Sequence, residues 1–533
     1  MNKVSKDNSV LFMNGKVWDD GASFKEAFGI RGKLIDFVGT NSEAKELKNK
    51  YDKIIDINNH LVIPGLIDGH VHLVYGSLIR KRIDCKDVHT LDELKLKIVE
   101  FLETHPDSHL LTGGNLNIER LGINFKTSPI NTLDEIASDR PMFISNYDYH
   151  SAICNTAAIE ISGLTKQTDL MNGDEVIKNS FGKPSGLVKE NAFNFVFNNL
   201  PKATIYEKTS AVEDMIQVLH SYGITSVSDI TLPDDLEVYK LLFAQGKLKL
   251  HINSYIPFLD FNNYSEFCLF TKEIDKEYFI IKGFKGFYDG ALGSETALFK
   301  ENYSGKEYNG YRTEIAENGL LVKLAKKIDE EGKQILIHSI GDKAVSETLS
   351  ICSILQKENS KKDRRFRIEH AQHIDESDFD EFKSSNAIVS VQPLHMKYDM
   401  KLAKAKLPSQ IFKRTHNYKN LIDRGVIVAF GTDFPIAEIN PYENIKIAVT
   451  RTIDGETFSP ENRIDLNYCI RAYTTNNAFA AFNENLYGSI SPGRLADLVI
   501  MKDDLFKIKP EEISSARVWR TYFEGDLVYS PGD

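Results

Sequence analysis

Eight strand-like apolar runs recur through the central part of this chain, and helix-like stretches separate several of them. The first run ends at His72, within Pro64-Gly-Leu-Ile-Asp-Gly-His-Val-His. The other seven span residues 224–229, 248–253, 280–287, 334–338, 366–370, 387–392 and 426–431. Strands that alternate with helices are typical of a parallel sheet, and eight such strands predict an α/β protein with a (β/α)₈ TIM-like barrel.

The spacing of these runs predicts two further parts of the chain. Residues 73–222 separate the first strand from the second and greatly exceed one βα unit, so we expect an insertion, or lid subdomain, there. Short alternating runs lie in 1–60 and again in 485–533. We expect these two ends to build one composite β-sandwich, with the barrel and its insertion occupying 61–484.

Composition excludes several classes of protein. The net charge is −11, from 65 basic and 76 acidic residues without a long basic cluster, so we expect no nucleic-acid partner. No apolar stretch approaches the length of a membrane span or of a signal-peptide core, so we expect no membrane association. The five cysteines are scattered and lack CxxC spacing, which predicts reduced thiols in a cytoplasmic protein.

The first strand carries a potential metal site at its carboxyl end. His70 and His72 are spaced i, i+2, so their side chains point the same way from a strand. Two neutral imidazoles held side by side suit a divalent transition metal such as zinc. Later strands also end in polar residues, at the face where barrel enzymes place their sites, namely Lys285, His338, His370 and Asp433.

The order of these motifs resembles the amidohydrolase superfamily, and within it the large metal-dependent hydrolases similar to N-substituted formamide deformylase. The resemblance extends nearly from end to end. Beyond the first strand, the matching segments include Lys285-Gly-Phe-Tyr-Asp-Gly-Ala-Leu-Gly-Ser, Ile337-His-Ser-Ile-Gly-Asp-Lys-Ala, Ile368-Glu-His, Val391-Gln-Pro-Leu-His, Gly431-Thr-Asp-Phe-Pro and Gly488-Ser-Ile-Ser-Pro-Gly-Arg-Leu-Ala-Asp.

The resemblance implies a centre of divalent cations, of which zinc is expected, with two ions per chain or one. In this interpretation His70 and His72 hold the first metal together with Asp433. The second metal is then held by His338 and His370.

The group that bridges the metals has two interpretations. One is N6-carboxylysine at Lys285, because carboxylation turns a cation into an anion that can span two metals. The other is Glu190 of the insertion, since some relatives use a glutamate there with a single metal.

The resemblance also implies the reaction. We expect hydrolysis of a C–N bond in a small-molecule amide, N-substituted formamide or similar compound, by a metal-activated hydroxide with Asp433 as general base and then acid. A deaminase, a cyclic-amide hydrolase and a non-catalytic barrel scaffold are the alternatives.

Glu369 is expected to point away from the ligands, and a homodimer is expected because relatives often dimerise. The expected substrate contacts are Asp289, Gln392, His395 and His150.

Overall fold

Eight parallel strands form the central sheet of the computed structural model, which describes residues 9–20, 23–106, 108–122, 128–147, 150–167, 175–179, 181–359 and 362–532. Each strand pairs with the next one in the chain, and every pairing is parallel. All their carboxyl ends therefore meet at one face. The strands are β1 Leu66–Val71, β2 Ile224–Ile230, β3 His251–Pro257, β4 Phe279–Phe287, β5 Gln334–Ser339, β6 Arg367–His370, β7 Ile388–Val391 and β8 Val428–Phe430.

The predicted strands match these bounds closely except at β3, which was expected at 248–253. The amide of Leu248 donates to the carbonyl of Leu242, so this residue completes the end of the preceding helix. The apolar side chains of Leu248 and Leu250 are buried before the strand begins. The apolar pattern of these buried residues therefore predicted a start of β3 that is three residues too early.

Helices follow the barrel strands and cover the outside of the sheet. No helix in the described ranges has the length and apolarity needed to cross a membrane. The described helices that do not lie wholly within residues 78–208 are Asn41–Leu47, Leu73–Arg80, Ile205–Ser221, Leu236–Ala244, Tyr264–Phe270, Glu314–Glu317, Leu320–Glu330, Asp342–Glu358, Phe379–Ser384, Met396–Lys406, Ser409–Phe412, Tyr418–Asp423, Pro441–Thr450, Leu466–Tyr473 and Thr475–Ala480.

The barrel closes where the carboxyl ends of β8 and β1 meet, and we call this contact the closing seam. The amide of Asp433 donates to the carbonyl of His70 at 2.7 Å, and the amide of His72 donates to the carbonyl of Phe434 at 2.8 Å. Gly431 permits this approach, because a Cβ there would lie 2.5 Å from the amide nitrogen of His70. The Asn477 side chain also connects the two strands, because its amide group donates to the carbonyls of Ile67 on β1 and Phe430 on β8.

Two further sheets are built from the ends of the chain. A six-stranded sheet has the order Asp526–Tyr529, Val518–Phe523, Leu498–Met501, Leu61–Pro64, Lys16–Asp19, Ser23–Lys25, and a four-stranded sheet has the order Leu34–Gly39, Ala27–Arg31, Ser9–Met13, Lys53–Asp56. They share a buried apolar core that includes Phe12, Val62 and Leu498. Leu61–Pro64 pairs with Leu498–Met501 and so belongs to the terminal sheet; the predicted domain bounds stay a prediction.

Leu78–Lys208 forms a separate compact unit, within the 73–222 segment predicted as an insertion. It has its own six-stranded sheet, in the order Val176–Lys178, Pro184–Lys189, Ser151–Cys154, Met142–Asn146, Leu111–Leu116, Ile83–Asp84. Its helices are Leu91–Thr104, Pro129–Ile136, Thr156–Ile161, Leu164–Gln167 and Glu190–Asn199. The lid role of this unit stays a prediction.

A buried ion pair joins the barrel strand β3 to the terminal six-stranded sheet. His251 Nε2 lies 2.8 Å from Asp497 Oδ2, and its Nδ1 lies 2.6 Å from the carbonyl of Glu277. Two acceptors require both ring nitrogens to carry protons. Burial alone lowers the pKa of His251, but Asp497 and the Glu277 carbonyl outweigh it and raise this pKa above the ordinary value.

We expect this pair to make stability depend on pH. A raised pKa stabilises the folded state fully below the unfolded value of about 6.5, and the contribution is lost as pH rises through the folded value. Thermal melting from pH 6 upward should therefore show a steeper loss of Tm for the wild-type protein than for His251→Gln. Equal slopes for the two proteins would contradict this assignment.

Candidate metal centre

Three side chains from the ends of β1, β6 and β8 converge at the carboxyl face of the barrel. The ligand atoms of His70, His370 and Asp433 all lie within 4.8 Å of one another, and all three residues are buried. The backbone makes this convergence possible, since His370 has φ +74° and Asp433 has φ +58°. These left-handed conformations are unfavourable for non-glycine residues, and such strain persists mainly at functional sites.

The orientation of His70 is fixed by Glu369, a buried carboxylate that is itself paired with the buried guanidinium of Arg367. His70 Nδ1 lies 2.5 Å from Glu369 Oε2, and Arg367 donates to both carboxylate oxygens of Glu369 at 2.9 and 3.1 Å. Arg367 holds the pKa of Glu369 well below its usual range, although burial opposes this. Burial, followed by the charge of Lys285, lowers the pKa of His70 to about 4. A neutral His70 therefore donates its Nδ1 proton to Glu369, which leaves Nε2 free to bind a metal.

His370 is oriented in a similar way by Gln392. The Nδ1 atom of His370 lies 2.8 Å from Gln392 Oε1, so the amide oxygen accepts the ring proton and Nε2 stays free. Burial, followed by the charge of His338, holds the pKa of His370 well below its usual range. Gln392 was predicted as a substrate contact; the structure places its Oε1 atom against His370, and a contact with substrate stays a prediction.

The remaining predicted histidine ligands stand at the edge of this group. His72 Nε2 lies 3.3 Å from Asp433 Oδ1, and its side chain is partly exposed. The ring of His338 lies 4.5 Å from that of His370, but its Nε2 lies 3.1 Å from the carbonyl of Gly290. The prediction assigns His70, His72 and Asp433 to one metal and His338 and His370 to the other. Among the described residues, the group whose ligand atoms all lie within 4.8 Å of one another is His70, His370 and Asp433, so the division between two metals stays a prediction.

Lys285 lies inside this cluster without a hydrogen-bond partner among the described residues. Its side chain is buried, and its Nζ is left unpaired. Burial lowers its pKa to about 8, although the carboxylates of Glu369 and Asp433 oppose that shift. An amine with this pKa is uncharged in about a tenth of molecules at pH 7, far more than an ordinary lysine.

Asp433 is positioned by a second buried carboxylate, Asp68. Asp68 Oδ1 accepts from the amide of Thr432 at 2.9 Å, and its Oδ2 accepts from the Thr432 hydroxyl at 2.7 Å. These bonds hold the end of β8 against β1. Burial opposes ionisation of Asp433, but the imidazoles of His70 and His72 hold its pKa well below the usual range.

Two other predicted substrate contacts, Asp289 and His395, have different hydrogen-bond surroundings. The Asp289 carboxylate accepts from the amides of Leu298, Ile340 and Gly341 and therefore anchors a loop, and its contact with substrate stays a prediction. The Nε2 atom of His395 lies 3.9 Å from Asp433 Oδ2, and its predicted contact with substrate stays a prediction.

The two predicted residues of the insertion, His150 and Glu190, belong to the separate unit Leu78–Lys208. Both are exposed, and His150 Nδ1 lies 3.3 Å from Glu190 Oε2. A substrate contact by His150 and the bridging role of Glu190 stay predictions.

A family model described as the amidohydrolase family matches residues 53–529. The chain belongs to the amidohydrolase family. It is 28% identical to the protein LONG AFTER FAR-RED 3 of Arabidopsis thaliana, with 98% of this chain and 91% of that protein covered. It is 24% identical to the N-substituted formamide deformylase of Arthrobacter pascens, with 98% of each covered.

The fold has a match among solved structures. An uncharacterized metal-dependent hydrolase from Pyrococcus horikoshii OT3 superposes with a TM-score of 0.79 at 21% identity, covering 94% of this chain and 99% of that one. The predicted family and enzyme class are therefore confirmed, and this amidohydrolase is a hydrolase of carbon–nitrogen bonds.

The described residues of this amidohydrolase fit a divalent cation. Neutral imidazoles with free Nε2 atoms and an ionised carboxylate are the ligand forms that transition metals require. The unpaired Nζ of buried Lys285 also marks a place where another group completes the site.

Arg367 and Glu369 are the positioning residues that sequence reasoning missed. Glu369 was expected to point away from the ligands, but it contacts His70, because the left-handed turn at His370 breaks the alternation of the strand. Opposite charges spaced i, i+2 within Phe366-Arg-Ile-Glu-His were the available signal, since a buried strand excludes unpaired charge.

Proposed function

We propose that this enzyme hydrolyses the C–N bond of a small amide, N-substituted formamide or similar compound, with two zinc ions per chain. The observation that carries the proposal is the convergence of His70, His370 and Asp433 around the buried, unpaired amine of Lys285. The similarity to an N-substituted formamide deformylase supports this choice of substrate class.

In this proposal His70, His72 and Asp433 hold one ion, and His338 and His370 hold the other. Lys285 would carry a carboxylate derived from CO₂, which would give both ions a further anionic ligand. The uncharged amine attacks CO₂, a C–N bond forms, and one proton leaves, which yields a carbamate anion. The burial and lowered pKa of Lys285 favour the uncharged amine that this step needs.

A bound divalent cation supplies Lewis acidity and lowers the pKa of water. Asp433 accepts a proton from the attacking water on one carboxylate oxygen and then delivers it to the leaving nitrogen. His395, whose Nε2 faces Asp433, is placed to donate a hydrogen bond to the same carboxylate or to the substrate oxygen. Glu369 and Gln392 keep the ring nitrogens of His70 and His370 turned toward the centre throughout.

The reaction is tested with a panel of N-acyl, N-formyl and cyclic amides, assayed on metal-free protein and after addition of Zn²⁺ or Mn²⁺. We expect hydrolysis of an open-chain amide that depends on added metal. Turnover confined to cyclic amides, or ammonia release from amidine-containing rings, would instead support the cyclic-amide hydrolase or the deaminase.

The homodimer and the cytoplasmic location stay predictions.

We expect the Lys285 carboxylate to be visible by spectroscopy. Protein reconstituted with Zn²⁺ and ¹³C-bicarbonate should give a carbamate ¹³C resonance that is absent from Lys285→Met. Metal content in Lys285→Met should fall by at least one ion per chain. The neighbouring variant Lys282→Met keeps the carbamate resonance, because Lys282 donates to Asn483 instead. Full metal content without any carbamate signal in the wild-type protein would contradict this role and favour Glu190.

A further inference from the structure

Six large apolar side chains are exposed at or shortly after the carboxyl ends of six different barrel strands. Single exposed apolar residues are ordinary, but a concentration of them on one face marks a ligand-binding surface. Because the strands are parallel, these residues share the carboxyl face with the metal centre. Each is 40–63% exposed, and together they form what we call the apolar rim, comprising Tyr75, Leu232, Leu259, Phe287, Tyr398 and Ile436.

Phe287 connects the apolar rim to the metal centre. It is the last residue of β4, two positions after Lys285. Its ring lies 5.2 Å from the ring of His338, and Lys285 Nζ lies 5.0 Å from its centroid. The ring is nevertheless 40% exposed, so part of its surface is available to a ligand that reaches the centre. Ile436 lies three positions after Asp433, and its amide donates to the carbonyl of Asp433 at 2.8 Å.

The charges on the same face oppose an anionic substrate. Glu295, in the loop after β4, is paired with Lys306 and with Lys406, so these cations are already neutralised. Asp234 and Asp260 follow β2 and β3, and burial together with the charge of Asp234 raises the pKa of Asp260. These two carboxyls lie next to the rim residues Leu232 and Leu259 in the chain, and a carboxylate that packs on this part of the rim would meet their negative charge.

We infer that the enzyme selects uncharged amides with an aromatic or long apolar substituent, which packs on the apolar rim, and that Phe287 determines this specificity. The inference rests on the proposed function, since it names the substrate class of the same site. It excludes N-acyl amino acids, whose carboxylate would face Asp234 and Asp260.

Three formamides separate the two parts of this inference. N-(2-phenylethyl)formamide and N-formylphenylalanine differ only by a carboxylate, while N-methylformamide lacks the aromatic group. We expect kcat/KM for the phenylethyl compound to exceed that of each of the other two by at least about tenfold. Similar values for all three would overturn the inference while leaving the hydrolytic function intact.

Variants locate the specificity on the rim. Phe287→Ser should reduce the preference for the phenylethyl over the methyl compound by about three- to tenfold, and Phe287→Leu should keep most of it. Phe24→Ser is the matched control, because Phe24 is a similarly exposed phenylalanine on the terminal sheet. An unchanged preference in folded Phe287→Ser would contradict the role of Phe287. If this variant does not fold, Ile436→Ser provides the same comparison.

A binding measurement distinguishes failure of the inference from failure of the proposed function. Calorimetry with metal-loaded Asp433→Asn and the same three formamides reports preference without turnover. Preferential binding of the phenylethyl compound, combined with no turnover by the wild-type enzyme, would refute the reaction and keep the specificity. Turnover without preferential binding would refute the specificity alone.

Discussion

Asp433→Asn lowers kcat/KM by about 10²- to 10⁴-fold, the range over which general acid–base groups contribute. The amide keeps the shape of the carboxylate, but it cannot accept a proton from water or return one to the leaving nitrogen. Asp433 is buried between His70, His72 and His395, so no other described carboxylate takes its place within the ligand group. The rate is measured on whichever amide the panel identifies.

The control for Asp433→Asn separates proton transfer from metal loss. Metal content is determined on the same preparation, and the rate is expressed per bound ion. Asp399→Asn is the matched variant, because Asp399 lies near His416 on the same face and does not belong to the ligand group. We expect Asp399→Asn to retain most activity. A metal-loaded Asp433→Asn enzyme with more than about a tenth of the wild-type rate would refute the assignment, since it falls outside the expected loss.

Arg367→Met destabilises the barrel by about 3–5 kcal/mol, because it leaves the buried carboxylate of Glu369 without its partner. Arg367 is fully buried and also donates to the carbonyl of Gly69 at 2.7 Å, so the lost contacts reach β1 as well. The measurement is urea denaturation of metal-free protein, with hydrogen exchange of β6 amides reporting the barrel separately from the Leu78–Lys208 unit.

The double variant Arg367→Met/Glu369→Leu tests the cause. It removes both charges, so we expect it to recover most of the lost stability. It also leaves His70 without an acceptor for its Nδ1 proton, and metal affinity should stay about 10- to 100-fold below that of the wild-type protein. A double variant as unstable as Arg367→Met would show that the destabilisation has another origin.

The sequence predicts the barrel well because burial and parallel pairing leave a direct trace in it. The β-strands are apolar and end in polar residues, so position alone singled out His70, His370 and Asp433, which the structure brings together; their role as metal ligands stays a prediction. Sequence patterns do not reveal backbone turns, however. The left-handed conformation at His370 brings Glu369 and its neighbour to the same centre, which a strict alternation of side chains forbids.

Residue type alone also did not distinguish ligands from the groups that hold them. Gln392 and Asp289 both follow barrel strands as predicted, yet one orients a histidine and the other binds backbone amides of a loop. These roles depend on which neighbour lies within hydrogen-bond distance, such as His370 at the end of the adjacent strand for Gln392 and the amide of Leu298 for Asp289. The strand order fixes the face of the site, whereas the loops fix the contacts of each side chain.

The closing seam has a consequence for how the protein is made. Asp68 and Thr432, which bond across it, are 364 positions apart. Contacts of such separation form late in folding, because a long loop must first be closed. His70 leaves the ribosome early, yet it gains its partners Glu369 and Asp433 only after most of the chain has been synthesised. Metal uptake therefore stabilises finished molecules selectively and gives no advantage to a truncated nascent chain.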